Sequence, residues 1–293
     1  MILSYKVEKN NLTINYILKN ELNISSRLFM KLIKNKLVTC NNTICDTRNV
    51  AKQGDIIKVN LNYTENNDNI IPKDIPLNIV YEDDSFIVLN KPSGIAVHPS
   101  ILHFDDTLSN GIRFYFDKIN LKKKIRPIIR LDYNTSGLII FAKNEYVQEC
   151  LIKQMKENVF KKEYLALVHG HLNPKFGTIN LPIGRKDGSI IERCISENGK
   201  TAITHFITLQ EFENCSLIKC YLDTGRTHQI RVHFSAIGNP IVGDTLYGKK
   251  NDFYNGHALL CSKLSFIHPI TKKAIDFEIE ENNFLQNFNI KNV

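Results

Sequence analysis

Ile129-Arg130-Leu131-Asp132-Tyr133-Asn134-Thr135-Ser136-Gly137-Leu138, running on into Ile139-Ile140-Phe141-Ala142, is the stretch that decides how the chain is read. An acid follows a short apolar run, then comes a polar turn of Asn, Thr, Ser and Gly, then a second apolar run. That second run has the length and composition of a buried strand. Asp132 is thereby placed on a loop pinned by a rigid strand, where catalytic groups tend to sit. Arg130, two residues earlier, has the chemistry to bind phosphate. Taken alone the segment identifies no reaction, and a surface Arg/Asp pair beside a turn is an equal reading of it.

Working outward, residues 79–89 predict a hairpin folded at Glu82-Asp83-Asp84-Ser85. Three acids there could suggest a metal, but an acidic turn is the commoner arrangement. Strands are expected over 164–168 and Cys215–Leu222. A helix fits 145–159, with Val147, Leu151 and Met155 at i+4 intervals. Another fits 227–237, with Ile230, Phe234 and Ile237 as its buried stripe and Gly238 closing it. Strands and helices mix without βαβ alternation, so the expected class is α+β with a mixed, largely antiparallel sheet.

Residues 1–62 read as a separate small α/β unit. Ser25-Ser26 caps a helix over 27–36 whose apolar positions are 28, 29, 32 and 33. Arg27, Lys31 and Lys34 follow one another at i+4 and i+3, on one face. Short strands flank Asn41-Asn42, and 52–60 adds a turn and another strand. Residues 63–76 are Asn-rich, hold two prolines and lack periodicity, so a linker is expected before a main domain over 77–293.

The chain has 293 residues and a formal net charge of +8, with a pI near 9.0. Hydrophobic residues at 43% supply a core and exclude disorder as the main state. No apolar run approaches the ~18 residues of a membrane-spanning helix, so no membrane partner is expected. The first residues lack the pattern of a signal peptide. Seven cysteines, an odd number with no Cys-x-x-Cys, predict free thiols in a reducing cytoplasm, without a disulfide framework or a structural zinc. The basic balance favours a polyanionic partner, nucleic acid before others.

Two further segments stand out. Lys161-Lys162-Glu163-Tyr164-Leu165-Ala166-Leu167-Val168-His169-Gly170 alternates like a strand, with Tyr164, Ala166 and Val168 on one face. In Leu222-Asp-Thr-Gly-Arg226-Thr-His228-Gln229-Ile-Arg231-Val-His233, Arg226, His228, Gln229 and Arg231 exceed what a helix cap needs, at a place where backbone N–H groups already favour anions. His228 and His233 are five apart and share no helix face, so they are not read as metal ligands.

These three motifs, in order, with Asn90-Lys-Pro-Ser-Gly-Ile-Ala-Val-His-Pro99 and Gly238-Asn-Pro-Ile-Val-Gly-Asp-Thr-Leu-Tyr-Gly248, resemble the RluA family of pseudouridine synthases over roughly residues 77–280. The N-terminal unit resembles the S4-type RNA-binding domain that often precedes this catalytic domain. The resemblance implies an RNA isomerase with the pseudouridine synthase fold and with no metal or organic cofactor. It implies that Asp132 is the nucleophile, that Tyr164 packs against the target base, and that Arg231 pairs with the aspartate. Arg130 is implied to hold the flipped nucleotide or its backbone. Many members have His where this chain has Ile129, which removes any role for a side chain there. Thr135, Gly137, Arg226, His228 and Gln229 complete the expected substrate-binding set. Arg27, Lys31 and Lys34 are the expected RNA contacts of the first unit.

The residue types suit the reaction. Uracil must leave its glycosidic nitrogen, turn while trapped and rejoin the ribose through carbon 5. A carboxylate can attack the sugar carbon or take a neighbouring ribose proton to give a glycal. Both routes need an ionised acid. Burial under a base works against the ion, and a guanidinium in bidentate contact restores it. A flipped uridine costs a few kcal/mol to extract, and stacking on an aromatic returns about 1–3 kcal/mol. The Tyr164 hydroxyl could also assist late proton transfer from carbon 5. Phosphate contacts are expected from Arg27/Lys31/Lys34, from 122–126 and from Lys161-Lys162. Large-subunit (23S-type) ribosomal RNA is the first expected substrate, transfer RNA the alternative. A non-catalytic ribosome-assembly factor of the same fold is the competing class, and no obligate protein partner is expected.

Overall fold

The computed structural model describes residues 1–248 and 256–288. The expected main domain, 77–293, therefore includes two stretches outside the described residues.

The first 60 residues form a four-stranded antiparallel sheet in the order Ile2–Lys6, Ile56–Asn60, Val38–Cys40, Thr43–Ile44. Asn41 and Asn42 make the last turn with φ of 50° and 68°, a left-handed pair that Asn tolerates better than most residues. Helix Ser26–Lys34 covers the sheet through Leu28 and Leu32, both fully buried. Its N-cap is Ser25, whose hydroxyl accepts from Leu28 N at 3.2 Å.

Residues 63–76 contain no helix or strand, yet they do not hang free. Asn67 and Ile70 are buried, and the Asn67 side chain bonds the backbone of Lys123 and Ile125. Lys123 is itself buried and donates from Nζ to the carbonyls of Leu61 and Tyr63. Arg126 donates to Glu65 at 2.6 Å. The run 122–126, expected to meet RNA, thus gives two of its cations to pinning the connecting segment. Half of its apparent surface charge is internal.

The main sheet runs Phe176–Asn180, Ile203–Glu211, Cys215–Leu222, Lys161–His169, Leu259–Ile267, Ser136–Ala142, Phe86–Lys91, Ile79–Glu82. Neighbours pair antiparallel except Leu259–Ile267 with Ser136–Ala142, which are parallel. This is the mixed, largely antiparallel sheet that the segment pattern predicts. The turn at 82–85 is an ordinary acidic one. Asp83 Oδ1 accepts from Ser85 N and Phe86 N, and among the described residues no three His, Cys, Asp or Glu side chains are placed to hold a metal. Cys40, Cys45, Cys150, Cys194, Cys220 and Cys261 are free thiols. Among the described residues no helix is long and apolar enough to cross a membrane.

Helix Glu145–Lys156 starts where expected, capped by Asn144, and ends three residues short of 159. Helix Gln229–Ala236 differs more. It carries no single apolar stripe: Gln229 through Phe234 are all buried, while Ile237 is exposed. A helix buried on all sides can carry an arginine into the protein interior, and this one does.

Candidate active site

The 132–135 turn is braced from below. Lys91 is fully buried and its ammonium donates to the carbonyls of Pro92, Tyr133 and Thr135 at 2.8–2.9 Å. Gly94 N and Ile95 N both donate to the Tyr133 carbonyl, and Ser93 Oγ donates to Asn134 O. Burial pushes the Lys91 ammonium down to about 7, with the Asp132 carboxylate opposing the shift. The Asn90–Pro99 motif is therefore a cradle for the aspartate loop.

Gly137 fixes the far side of the turn. Its φ is +107°, and a Cβ there would lie 2.3 Å from the carbonyl oxygen of Cys261 on the parallel neighbour. Only glycine permits that approach. The requirement for glycine at this position is set by strand contact. Thr135 is buried at the turn and lines the inner recess.

Asp132 projects into a cleft of about 610 Å³ lined by Arg130, Asp132, Lys162, Tyr164 and Arg226, among others. Behind it a recess of about 70 Å³ adds His228, Arg231 and Leu259. Arg231 donates from Nη1 to Asp132 Oδ2 at 3.0 Å. The two-pronged contact expected between them goes elsewhere: Nε and Nη2 donate to the two oxygens of Asp244, at 2.7 and 3.0 Å. Asp244 is fully buried, and its Oδ1 also accepts from Leu246 N and Tyr247 N. The Tyr247 ring lies beneath the guanidinium, 4.9 Å from its carbon. Arg231 is thus clamped by one carboxylate and presents its remaining prong to another.

Tyr164 lies on the strand beside this pair, 7% exposed, and lines both spaces. Burial holds its hydroxyl protonated, well above the usual range, with the Cys261 thiol and Asp132 adding to the effect. His228 has a left-handed backbone, φ 59°. Its Nδ1 meets the Tyr247 hydroxyl at 2.7 Å and its Nε2 is 3.8 Å from Asp132 Oδ2. Burial lowers its basicity against the pull of Asp132, which favours the neutral ring. His257, 3.7 Å from Asp244, is pushed down to about 4 by burial and then by Arg231.

Gln229 is corrected. Its oxygen accepts from Thr224 Oγ1 and Arg226 N, its nitrogen donates to Ile203 O and Thr204 Oγ1, and no polar group is left for a ligand. It ties the loop to the sheet. Arg226 is exposed at the rim, with Nε on the Thr201 carbonyl. Arg130 is likewise exposed and lines the same cleft.

Of the N-terminal cations, Lys31 is corrected. Its ammonium lies between Glu65 at 3.1 Å and Glu145 at 2.9 Å, over the Tyr63 ring. It joins the two units and is not free for phosphate. Arg27 is 89% exposed and 3.8 Å from Glu145, and Lys34 is exposed. Asp244, Lys91 and Tyr247 received no role from the sequence. The first and last lie inside the Gly238–Gly248 motif, where an acid among glycines was the available signal.

A family model described as RNA pseudouridylate synthase matches residues 85–236, which hold the cradle, the aspartate loop, the tyrosine strand and the arginine helix. The chain belongs to the RluA family of RNA pseudouridine synthases. It is 36% identical over 261 residues to the uncharacterized RNA pseudouridine synthase YhcT of Bacillus subtilis (strain 168), covering 88% of this chain and 86% of that one. It is 34% identical over 291 residues to ribosomal large subunit pseudouridine synthase D of Blochmanniella floridana, covering 91% and 90%. Among solved structures, human RNA pseudouridylate synthase domain containing 1 superposes with a TM-score of 0.59 at 30% identity, over 70% of this chain and 84% of that one.

Proposed function

We propose that the cleft at Asp132 isomerises uridines of large-subunit ribosomal RNA, with Asp132 as the nucleophile. The observation that carries this is the 3.0 Å bond from an immobilised Arg231 to Asp132 at the floor of an open cleft, beside a buried tyrosine. The guanidinium holds the carboxylate in place at the cleft floor. The target uridine leaves the RNA stack, enters the 610 Å³ cleft and lies against Tyr164. Arg130 and Arg226, both exposed in the cleft lining, take the flanking backbone. His228, neutral and 3.8 Å from Asp132, lines the recess without competing for its charge. The large-subunit target is supported by relatives named ribosomal large subunit pseudouridine synthase D.

Residues 1–62 form, in this reading, an S4-like RNA-binding unit joined through 63–76 to a catalytic unit over 77–293. Arg27 and Lys34 remain available to phosphates.

The test is tritium release from RNA labelled at carbon 5 of uridine, with unmodified large-subunit ribosomal RNA and transfer RNA side by side. Release from the ribosomal RNA, abolished in Asp132→Asn while binding persists, is the expected result. Multiple turnover by Asp132→Asn would overturn the nucleophile. Release from transfer RNA alone would overturn the target.

A further inference from the structure

Lys162 is a half-buried cation to which the proposed reaction assigns no place. It lies two residues before Tyr164 on the strand Lys161–His169 and lines the same cleft. Its ammonium lies near Gly225 of the facing loop, where an added Cβ would stand 3.9 Å from it. The residue is only partly exposed. No hydrogen bond or ion pair to it occurs among the described residues. The acids nearby are committed elsewhere: Asp132 to Arg231, Asp223 to His205 at 2.8 Å, and Glu163 on the other face of the strand towards Lys219 at 3.9 Å. Among the described residues the titratable group acting on it is the Cys261 thiol, which burial pushes up to about 12 and so keeps neutral. Burial accordingly lowers the basicity of the ammonium.

An ammonium withdrawn from water without a counter-ion is unfavourable. The Lys91 ammonium, more deeply buried, is satisfied by three carbonyls, and the Lys123 ammonium by two. Lys162 differs from both in facing open cleft. An anion arriving there would gain a donor that is already desolvated and already aimed. The substrate of this site is a polyanion, and Arg130 and Arg226 line the same cleft.

We propose that Lys162 is a substrate-positioning residue that donates to a non-bridging oxygen of the phosphodiester beside the flipped nucleotide, holding that nucleotide against Tyr164. The inference rests on the cleft being the uridine site. A point-charge donor suits one phosphate oxygen, where a guanidinium would bridge two.

Lys162→Met and Lys162→Arg, compared with wild type and Asp132→Asn, provide the test. RNA affinity is measured over a range of salt, with steady-state turnover and thermal unfolding. Loss of one phosphate contact should lower the slope of log affinity against log salt by about 0.7–1. Lys162→Met should weaken binding about ten-fold at low salt, as expected for one charge-assisted bond, and raise KM with kcat at saturation largely kept. Its unfolding midpoint should be equal or higher, because an uncompensated charge has gone; a residue retained for packing would lower it. Lys162→Arg should restore the salt slope. Wild-type affinity and slope in Lys162→Met, with Asp132→Asn inert but binding, would overturn the Lys162 assignment alone. Turnover by Asp132→Asn would instead remove the site on which the assignment rests.

Discussion

Replacing Asp244 by Asn changes one atom in the fully buried group that clamps Arg231. The amide oxygen can keep the Oδ1 position, which accepts from Arg231 Nη2, Leu246 N and Tyr247 N. The amide nitrogen must then occupy the Oδ2 position, where it faces Arg231 Nε–H at 2.7 Å, donor against donor. One charge-assisted bond is lost, worth about 1.5–3 kcal/mol, and Arg231 keeps a neutral bond to the amide oxygen and its bond to Asp132. Breaking a buried pair in this way costs about 3–5 kcal/mol. Burial disfavours the Asp244 carboxylate, but Arg231 more than offsets this and the folded acid lies below its ordinary range. Its contribution is therefore complete above the unfolded value of about 3.9 and fades as pH falls through the folded value. Urea unfolding of wild type and Asp244→Asn should show the full gap at pH 7 and a shrinking gap below about pH 4, as the wild-type group protonates. Turnover should fall about a hundred-fold at pH 7 through misalignment of Asp132. A gap under about 1 kcal/mol at pH 7, or one indifferent to pH, would refute the clamp.

Gly137→Ala should cost about 1–3 kcal/mol of backbone strain and about as much again in overpacking against Cys261; denaturant unfolding with a loss below about 1 kcal/mol would contradict the 2.3 Å approach. Lys31→Met should loosen the junction between the units, seen as faster proteolysis within 60–76. Because a third of that side chain faces water, screening holds the stability loss to about 1 kcal/mol, and RNA affinity should not change. Arg27→Ala and Lys34→Ala should each lower the salt slope of RNA binding, and an effect of Lys31→Met as large as theirs would reverse the correction made above.

The elements legible in the sequence are those whose signal is local. Helix Ser26–Lys34 announces itself by its cap and its leucine spacing, and the hairpin before Lys91 by its acidic turn. Asp132, Tyr164 and Arg231 were nominated from three distant motifs, and the fold brings them to one cleft. The helix Leu108–Lys118 went unread because it opens with Ser109, Asn110 and Gly111, poor helix formers that here are buried under a Thr107 capping box. Gln229 and Gly137 sat among residues that reach substrate, and nothing local separates a polar side chain turned inward from one turned outward. Lys31 and Lys123 read as surface charge because their carboxylate and carbonyl partners lie far along the chain. Asp244 shows the same limit, since a clamp is a property of two segments and neither segment alone betrays it.

The placement of Leu259–Ile267 governs when the protein becomes an enzyme. This strand separates Ser136–Ala142 from Lys161–His169 in the finished sheet, and Gly137 is shaped to receive it. During synthesis the first two-thirds of the catalytic unit can emerge with the aspartate loop and the tyrosine strand both made, yet not held across a common neighbour. Such long-range pairing is the slow part of folding, and at about 5–20 residues per second the missing strand arrives seconds after the tyrosine. A chain ended before residue 259 should consequently be inert, since the aspartate loop and the tyrosine strand then lack the neighbour they share.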